Sequence, residues 1–394
     1  MNGDIKVDKY KYSTDHNEMR RRWEVTLAEM DKQEIDCLIL YATVGRLNGS
    51  MMYLTDVFTS GSYPHCGMFS RDGIFLFGHG YKGGTMAPAE KLGLINITEN
   101  IGIPITPAMC YADNDFPAEM ERIIKSRGYK KIGFVDMAKT AASIYKYLTE
   151  NLRECEFVNA TDMIDQIKAV KSEYDIQRWK DAIDTVEKVF AQFPSVVKPG
   201  MTEHQVVCEM EYIARSFDCP VTSIMMGSDP KKPIKSPDIY RNKVIEEHDY
   251  INFLLELAAP GGLWCEIARI FSFGEPSTEM RKAEKDSVEL QALIAKNAVP
   301  GASPAELLAL LNSKLTARGY RPETRIFAHG QGYDIVERPV FCADETMELK
   351  ENMIVAIHPS CGNADAYCGN TDDYMITKSG AVRLNTIPSG IWVL

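Results

Sequence analysis

Two stretches about a hundred residues apart in the second half of the chain carry the same punctuation. Lys198-Pro-Gly-Met-Thr-Glu-His-Gln205 leads into the helical pattern VVCEMEYIARSF, and Val299-Pro-Gly-Ala-Ser-Pro-Ala-Glu306 leads into LLALLNSKLTARGY. In each, Pro-Gly precedes a Thr202 or Ser303 N-cap, with Gln205 or Glu306 three residues on to close a capping box. A helix precedes each motif, at about Asp175–Phe193 and Glu279–Asn297, and apolar strand-like runs follow each. These are VTSIMMG, YINFLLEL and IARIFSFG after the first, and TRIFAHG, MIVAIHP and DYMIT after the second. Pro-Gly before a capped helix is common, but the matching order of elements favours a duplicated helix-helix-sheet unit. Such copies pack about a pseudo-twofold axis with their sheets side by side and helices behind.

The first half reads differently. A helix is expected over His16–Lys32 from its apolar spacing, then strands at Cys37–Tyr41 and Gly73–Gly78. A helix near Ala118–Ser126, a strand at Lys131–Asp136, a helix near Ala141–Asn151 and a strand near Cys155–Val158 follow. Ser172 is a candidate N-cap for a long helix from Glu173 to about Phe193. Strand-helix alternation followed by the doubled unit predicts an α/β (α+β) chain of two domains, residues 1–165 and 166–394. That division suits 394 residues, too many for one ordinary core.

Bulk properties narrow the partners. A net charge of −11 argues against nucleic acid, whose phosphates demand a basic surface. No apolar run approaches a bilayer-spanning length, and the opening MNGDIKVDKYKY lacks the apolar core of a signal peptide. Ten cysteines without a CxxC pair read as free thiols in a reducing cytoplasm. Cys361 and Cys368 read as small buried hydrophobes.

The chemistry-bearing residues cluster in the doubled half. In YINFLLELAAPGGLWCEIARIFSFG, two strands flank Ala259-Pro-Gly-Gly262, and Glu256 and Glu266 lie equally far from Gly261. A hairpin centred there makes them cross-strand neighbours on one face, where like charges repel. Buried together, they need a cation, a shared proton or a cationic ligand. A one-residue slip would instead send one glutamate to solvent or to Arg269. His329 ends an apolar run and is followed by two glycines, in Phe327-Ala-His-Gly-Gln-Gly-Tyr333. His358 ends the buried run IVAI, and Asp372 and Asp373 precede YMI. Taken singly, each histidine or aspartate is as readily an ordinary turn or strand-end residue. Together, carboxylates and imidazoles from one central sheet are what a first-row metal centre requires.

On these motifs the sequence resembles the pita-bread family of creatinase, prolidase, aminopeptidase P and methionine aminopeptidase. The likeness covers essentially the whole chain, from a smaller N-terminal domain through the entry helix IKAVKSEYDIQRWKDAI to the doubled half. LLELAAPGGLWCEIARIFSFGEP is similar to the family's hairpin, with Glu266 at its second aspartate and Arg269 at its arginine. His329-Gly-Gln-Gly-Tyr-Asp-Ile-Val-Glu-Arg-Pro339 looks like HGIGLDVHE-P. Leu349 to Pro359 looks like the segment that ends in Glu-Pro, and Thr371 to Gly380 like the closing segment.

The resemblance implies a hydrolase acting on a C–N bond of a small peptide-like, guanidino, cyclic-amidine or betaine-like substrate. It implies catalytic roles for His329, His358, Glu256 and Glu266, and substrate contacts from Glu337 and Arg338. Metal ligands would come from Glu256, Glu266, His329, His358 and Asp372. It also implies a homodimer in which Tyr63 or His65 of one subunit reaches the neighbour's pocket, although a loop histidine without a role is the simpler reading of His65.

The departures from the family pattern are specific. Both hairpin aspartates are glutamates, and Glu256 stands one residue closer to its partner, as in the family's dimethylsulfoniopropionate lyase branch. His358 replaces a metal-bridging glutamate. The final glutamate falls on Thr371, or on Asp372 if the register shifts. Val336 replaces the second histidine, and no histidine occurs in GSDPKKPIKSPDIYRNK before the hairpin. An orthodox dinuclear aminopeptidase is therefore not expected. Three readings remain: the hydrolase, metal-free or with one divalent ion (Fe, Zn or Mn); a metal-aided lyase on a small zwitterion; and a binding module without catalysis. The substitutes are themselves ionisable, and burying such groups is costly without partners, which favours a retooled site.

Overall fold

The computed structural model describes residues 13–43, 48–59, 62–80, 94–104, 113–235 and 242–394. The charged opening stretch, Cys110 and part of the loop before the hairpin, residues 236–241, lie outside them. The chain divides into two compact units, Met1–Lys168 and Ala169–Leu394.

The first unit runs α1 (His16–Lys32), β1 (Cys37–Ala42), α2 (Gly49–Thr55), β2 (His65–Ser70), β3 (Gly73–His79), β4 (Ile97–Ile103), α3 (Asp115–Arg127), β5 (Lys131–Val135), α4 (Ala142–Asn151), β6 (Glu156–Asn159) and α5 (Thr161–Ala169). Its six-stranded sheet has the order β4-β3-β2-β1-β5-β6. A parallel β1–β5 pair lies beside an antiparallel β1–β2 pair. Alternating residues Cys37 and Ile39 on β1, Phe75 and Phe77 on β3, and Ile132 and Phe134 on β5 bury one apolar layer beneath α3 and α4. Sequence periodicity did not reveal β2 or β4. HCGMFS opens on His-Cys-Gly and ITENIGI carries Glu and Asn, so neither has a clean apolar alternation. Pairing with β3 on its two sides supplies the missing stability.

The second unit opens with α6 (Glu173–Phe190), α7 (Phe193–Val196) and α8 (Glu203–Ser216), followed by β7 (Val221–Asp229), β8 (Tyr250–Ala258) and β9 (Trp264–Ser272). The second pass has α9 (Thr278–Asn297), α10 (Pro304–Ala317), β10 (Ala328–Gly330), β11 (Glu337–Val340), β12 (Ile354–Ile357), β13 (Ser360–Gly362), β14 (Tyr367–Gly369), β15 (Asp372–Thr377), β16 (Gly380–Arg383) and β17 (Ile391–Val393). Two larger sheets result, ordered β17-β9-β8-β7 and β11-β10-β12-β15-β16, with β13-β14 as a separate ribbon. Among the described residues, the antiparallel bridge Ala268 to Thr371 joins them: each backbone N–H donates to the other's carbonyl at 3.3 Å.

The caps start the helices differently in the two passes. Thr202 and Gln205 form the reciprocal capping box, as do Ser172 and Asp175. Ser303 makes no such bond. Pro304 occupies the first turn, where its missing N–H needs no partner, so this helix begins without a side-chain cap. Behind β8 and β9, α6 buries Trp179, Ile183, Val186 and Phe190, and Phe193 stacks on Phe253 with centroids 3.9 Å apart. These rings fix the hairpin's far face, so its other face alone is free to line a cavity.

Candidate active site

The β8–β9 hairpin sets the first two side chains. Its turn is closed by Ala259 N–H to the Leu263 carbonyl at 2.8 Å and Gly262 N–H to the Ala259 carbonyl at 2.8 Å. Gly261 and Gly262 have φ of +93° and +91°, a region that side chains resist. The resulting register pairs Glu256 directly with Glu266. Both line a cavity of about 320 Å³. Burial, the Glu266 charge and only partial relief from Ser223 push the Glu256 carboxyl up to about 8. Ser223 Oγ donates to its Oε2 at 3.0 Å. Burial also works against the Glu266 anion, but the contact with His329 and the positive charges of His329 and Arg325 outweigh it and hold its pKa below the ordinary range. The pair thus separates into a protonated Glu256 and an anionic Glu266 at neutral pH.

The second copy supplies the imidazoles. His329 lies in β10, between β11 and β12 in the sheet. Its Nδ1 lies 3.0 Å from the Gly330 carbonyl, which requires a proton on Nδ1 and turns Nε2 toward Glu266 Oε2 at 3.4 Å. Burial opposes the imidazolium, yet Glu266 lifts the His329 pKa above its usual value. His358 follows β12, anchored by its N–H on the Phe327 carbonyl at 2.8 Å. The two rings meet edge to face with centroids 5.3 Å apart. Burial pushes His358 down to about 4, against the pull of Glu266, so this imidazole is neutral. One ligand atom each from Glu266, His329 and His358 can be chosen so that all lie within 4.8 Å of one another.

Asp372 does not join this group. Its Oδ1 accepts from Arg269 at 2.6 Å and from Arg383 at 2.7 Å, with Asp372 and Arg269 fully buried. The Ala268–Thr371 bridge sets that register, so Thr371 lines the cavity and Asp372 turns back to the arginines. Glu337 and Arg338 also depart from the expected substrate contacts, for neither lines the cavity. Glu337 accepts from the Tyr333 N–H at 2.9 Å and pairs with Lys171 at 3.3 Å. Arg338 forks onto Glu345. Gly332 explains this fold-back: a Cβ there would sit 1.9 Å from the Glu337 carboxyl carbon. Within the first unit, Tyr63 stacks on His79 at 4.0 Å, and His65 Nδ1 lies 3.1 Å from the Tyr63 carbonyl.

The remaining cavity wall holds residues that sequence reasoning missed. Met225, Leu254, Ile326 and Val336 form an apolar side, while Lys235 and Arg325 bring positive charge. Both cations reach buried Glu323, Lys235 at 3.4 Å and Arg325 at 3.1 Å. A cation four residues before His329 in an otherwise apolar run was the available signal for Arg325. Lys235 sits in a loop, where no periodicity marks it.

Comparison with known proteins accords with this architecture. A model of the Creatinase/Prolidase N-terminal domain matches residues 22–170. An uncharacterized peptidase of Bacillus subtilis is 24% identical over 286 residues, which span 69% of this chain and 77% of the relative. A Xaa-Pro dipeptidase of Pyrococcus horikoshii is 25% identical over 272 residues, 66% of this chain and 73% of the relative. Among solved structures, the X-Pro aminopeptidase of Thermotoga maritima superposes with a TM-score of 0.79 at 19% identity, covering 94% of this chain and 99% of its own. The prolidase of Pyrococcus horikoshii superposes with a TM-score of 0.74 at 18% identity and the same coverages. The fold is the pita-bread fold of these enzymes. Since the model of metallopeptidase family M24 matches residues 177–386, more than half of the sequence, the chain belongs to that family.

Proposed function

We propose that this protein hydrolyses a C–N bond in a small peptide-like substrate at a centre that holds no more than one metal ion. The observation that carries the reading is the 3.4 Å approach of His329 Nε2 to Glu266 Oε2, with His358 beside them. Among the described residues, Glu266 Oε2 has no hydrogen-bond partner, although it is buried. Ligands about 2.1 Å from a tetrahedral ion stand roughly 3.4 Å apart, so the spacing suits an ion between them. Two imidazoles and one carboxylate also form the set that first-row divalent ions accept. Glu266, His329 and His358 would therefore hold the ion. Once bound, it would acidify a water and polarise the substrate carbonyl.

The chain's own groups complete the reaction. Cleavage adds a water oxygen to the carbonyl carbon and delivers a proton to the departing nitrogen. Glu256, opposite Glu266 and steadied by Ser223, would serve as the proton donor. Arg325 favours negative charge on the carbonyl oxygen. Met225, Leu254, Ile326 and Val336 exclude water from the apolar flank of the substrate. Hydrolysis is preferred to elimination because relatives with activity names include a Xaa-Pro dipeptidase, an X-Pro aminopeptidase and a prolidase. A two-ion centre is disfavoured because His358 and Thr371 stand where the resemblance places acidic ligands.

A metal-free variant rests on the same contact. An imidazolium at His329 would itself neutralise Glu266, leaving His358 as a neutral base.

Elemental analysis of protein purified without chelator, paired with a panel of X-Pro dipeptides, guanidino acids and betaines, tests the proposal. About one equivalent of Fe, Zn or Mn, lost in His358→Ala, with peptide turnover is the expected result. Turnover without metal selects the metal-free variant. Two equivalents would refute the single-ion centre, and ligand binding without any turnover would refute catalysis.

A further inference from the structure

A second cavity of about 420 Å³ adjoins the catalytic one, sharing Lys235 and Tyr367 as wall residues. Its volume alone falls within the range of small-ligand sites, about 300–1,000 Å³. Its wall is cationic in a chain whose net charge is −11: Lys231, Lys232, Lys235 and Arg321 line it, against one carboxylate, Asp229.

The local bonding leaves much of that positive charge available. Asp229 Oδ1 accepts from the backbone N–H groups of Lys231 and Lys232, at 2.9 and 3.4 Å, so it shapes the turn. Lys232 Nζ is spent on the carbonyls of Asn363 and Ala364, at 2.7 and 2.6 Å, which pins the turn to the β13–β14 connection. Arg321 is fixed at its backbone by an N–H bond to the Gly362 carbonyl at 3.2 Å. Among the described residues, neither the Lys231 ammonium nor the Arg321 guanidinium has a carboxylate partner. Lys235 contacts Glu323 at 3.4 Å, and Glu323 also accepts from Ser360 Oγ at 3.0 Å and from Arg325, which lines the catalytic cavity. This one buried carboxylate therefore holds together groups from both walls.

We propose that the second cavity is an anion-binding extension of the active site, and that the preferred substrate carries a carboxylate at the end remote from the scissile bond. Arg321 and Lys231 receive that carboxylate, Lys235 stands at the junction, and the substrate backbone runs past Tyr367 into the catalytic cavity. A guanidinium and an ammonium in one pocket suit a carboxylate, with the guanidinium able to take it in a two-pronged bond. This assignment rests on the hydrolase reading for the identity of the scissile bond, but the anion preference is measurable without turnover.

The probe is a tripeptide whose scissile amide is replaced by a methylene-amine link, prepared as the free acid and as the C-terminal amide. Calorimetry with the full-length protein is expected to show the acid binding about 10-fold tighter than the amide, one charge-assisted contact's worth. In the Arg321→Gln/Lys231→Gln double variant the affinity for the acid falls to that for the amide, and an unchanged unfolding midpoint shows that the variant is folded. Equal affinities for acid and amide in the native protein, including none measurable, would overturn the proposal. So would inorganic phosphate displacing the acid at lower concentration than a simple carboxylate does, because the pocket would then be a phosphate site. Should no peptide with an intact scissile amide be cleaved while the acid preference persists, the hydrolase reading falls and this one stands. Cleavage without any acid preference has the opposite meaning.

Discussion

At the scale of single residues, the aspartates after β14 are the sharpest case. Their sequence permits Thr371 or Asp372 to face the cavity, and nothing local decides between them. The decision comes from the Ala268–Thr371 bridge and from two arginines, one on each side of a sheet boundary. Asp372 is therefore a stability residue. Asp372→Asn, which removes the negative charge paired with buried Arg269, is expected to cost about 3 kcal/mol in denaturant unfolding, with metal content per folded molecule unchanged. Glu323 makes a second prediction. Although burial opposes its charge, Arg325 and then Lys235 draw its carboxyl down to about 2. A depressed folded pKa gives stability that is present above the unfolded value, about 4.3, and lost as pH falls toward 2. Glu323→Gln should thus lower the unfolding free energy from urea titration at pH 7 by on the order of 1–2 kcal/mol, because its partners are partly exposed. The gap from the native protein should close as pH falls to about 2.

Among elements, the β8–β9 hairpin was legible because glycine position and period-two alternation together admit few registers. The equal spacing of Glu256 and Glu266 about Gly261 was enough to pair them. The β10–β11 turn was not legible. His-Gly-Gln-Gly announced that something approaches the backbone closely, but not that the visitor is Glu337 from the same turn. Gly332→Ala tests that account: forcing a methyl against the Glu337 carboxylate should destabilise the protein by about 1–3 kcal/mol, read as a lower unfolding midpoint. Glu337→Ala in the same background should recover part of the loss. Helix starts were legible wherever a hydroxyl or carboxylate could reach back to the N3 amide, as at Thr202. At Ser303 proline made that reach unnecessary.

At the scale of the whole molecule, order of elements and doubled punctuation carried the fold. The two core sheets could be foreseen, while the cationic wall of the cavities could not. Lys235 and Arg321 sit in irregular segments whose position depends on packing between distant strands. No helix among the described residues is long and apolar enough to cross a membrane. If an ion binds as proposed, it couples to global stability. Protein stripped with a chelator should unfold at lower temperature, and restoring metal at 100 times its Kd should recover about 2.7 kcal/mol; identical melting curves would argue for the metal-free form.

The bridge at Ala268 has one more consequence. Glu266 belongs to the first pass of the doubled unit, whereas His329 and His358 belong to the second. An ion held by all three would fasten the two passes to each other at the site itself, beside the backbone pairings at Ala268–Thr371 and β9–β17. Separately expressed halves would each own an incomplete set of donors, so metal capture would report their reassembly.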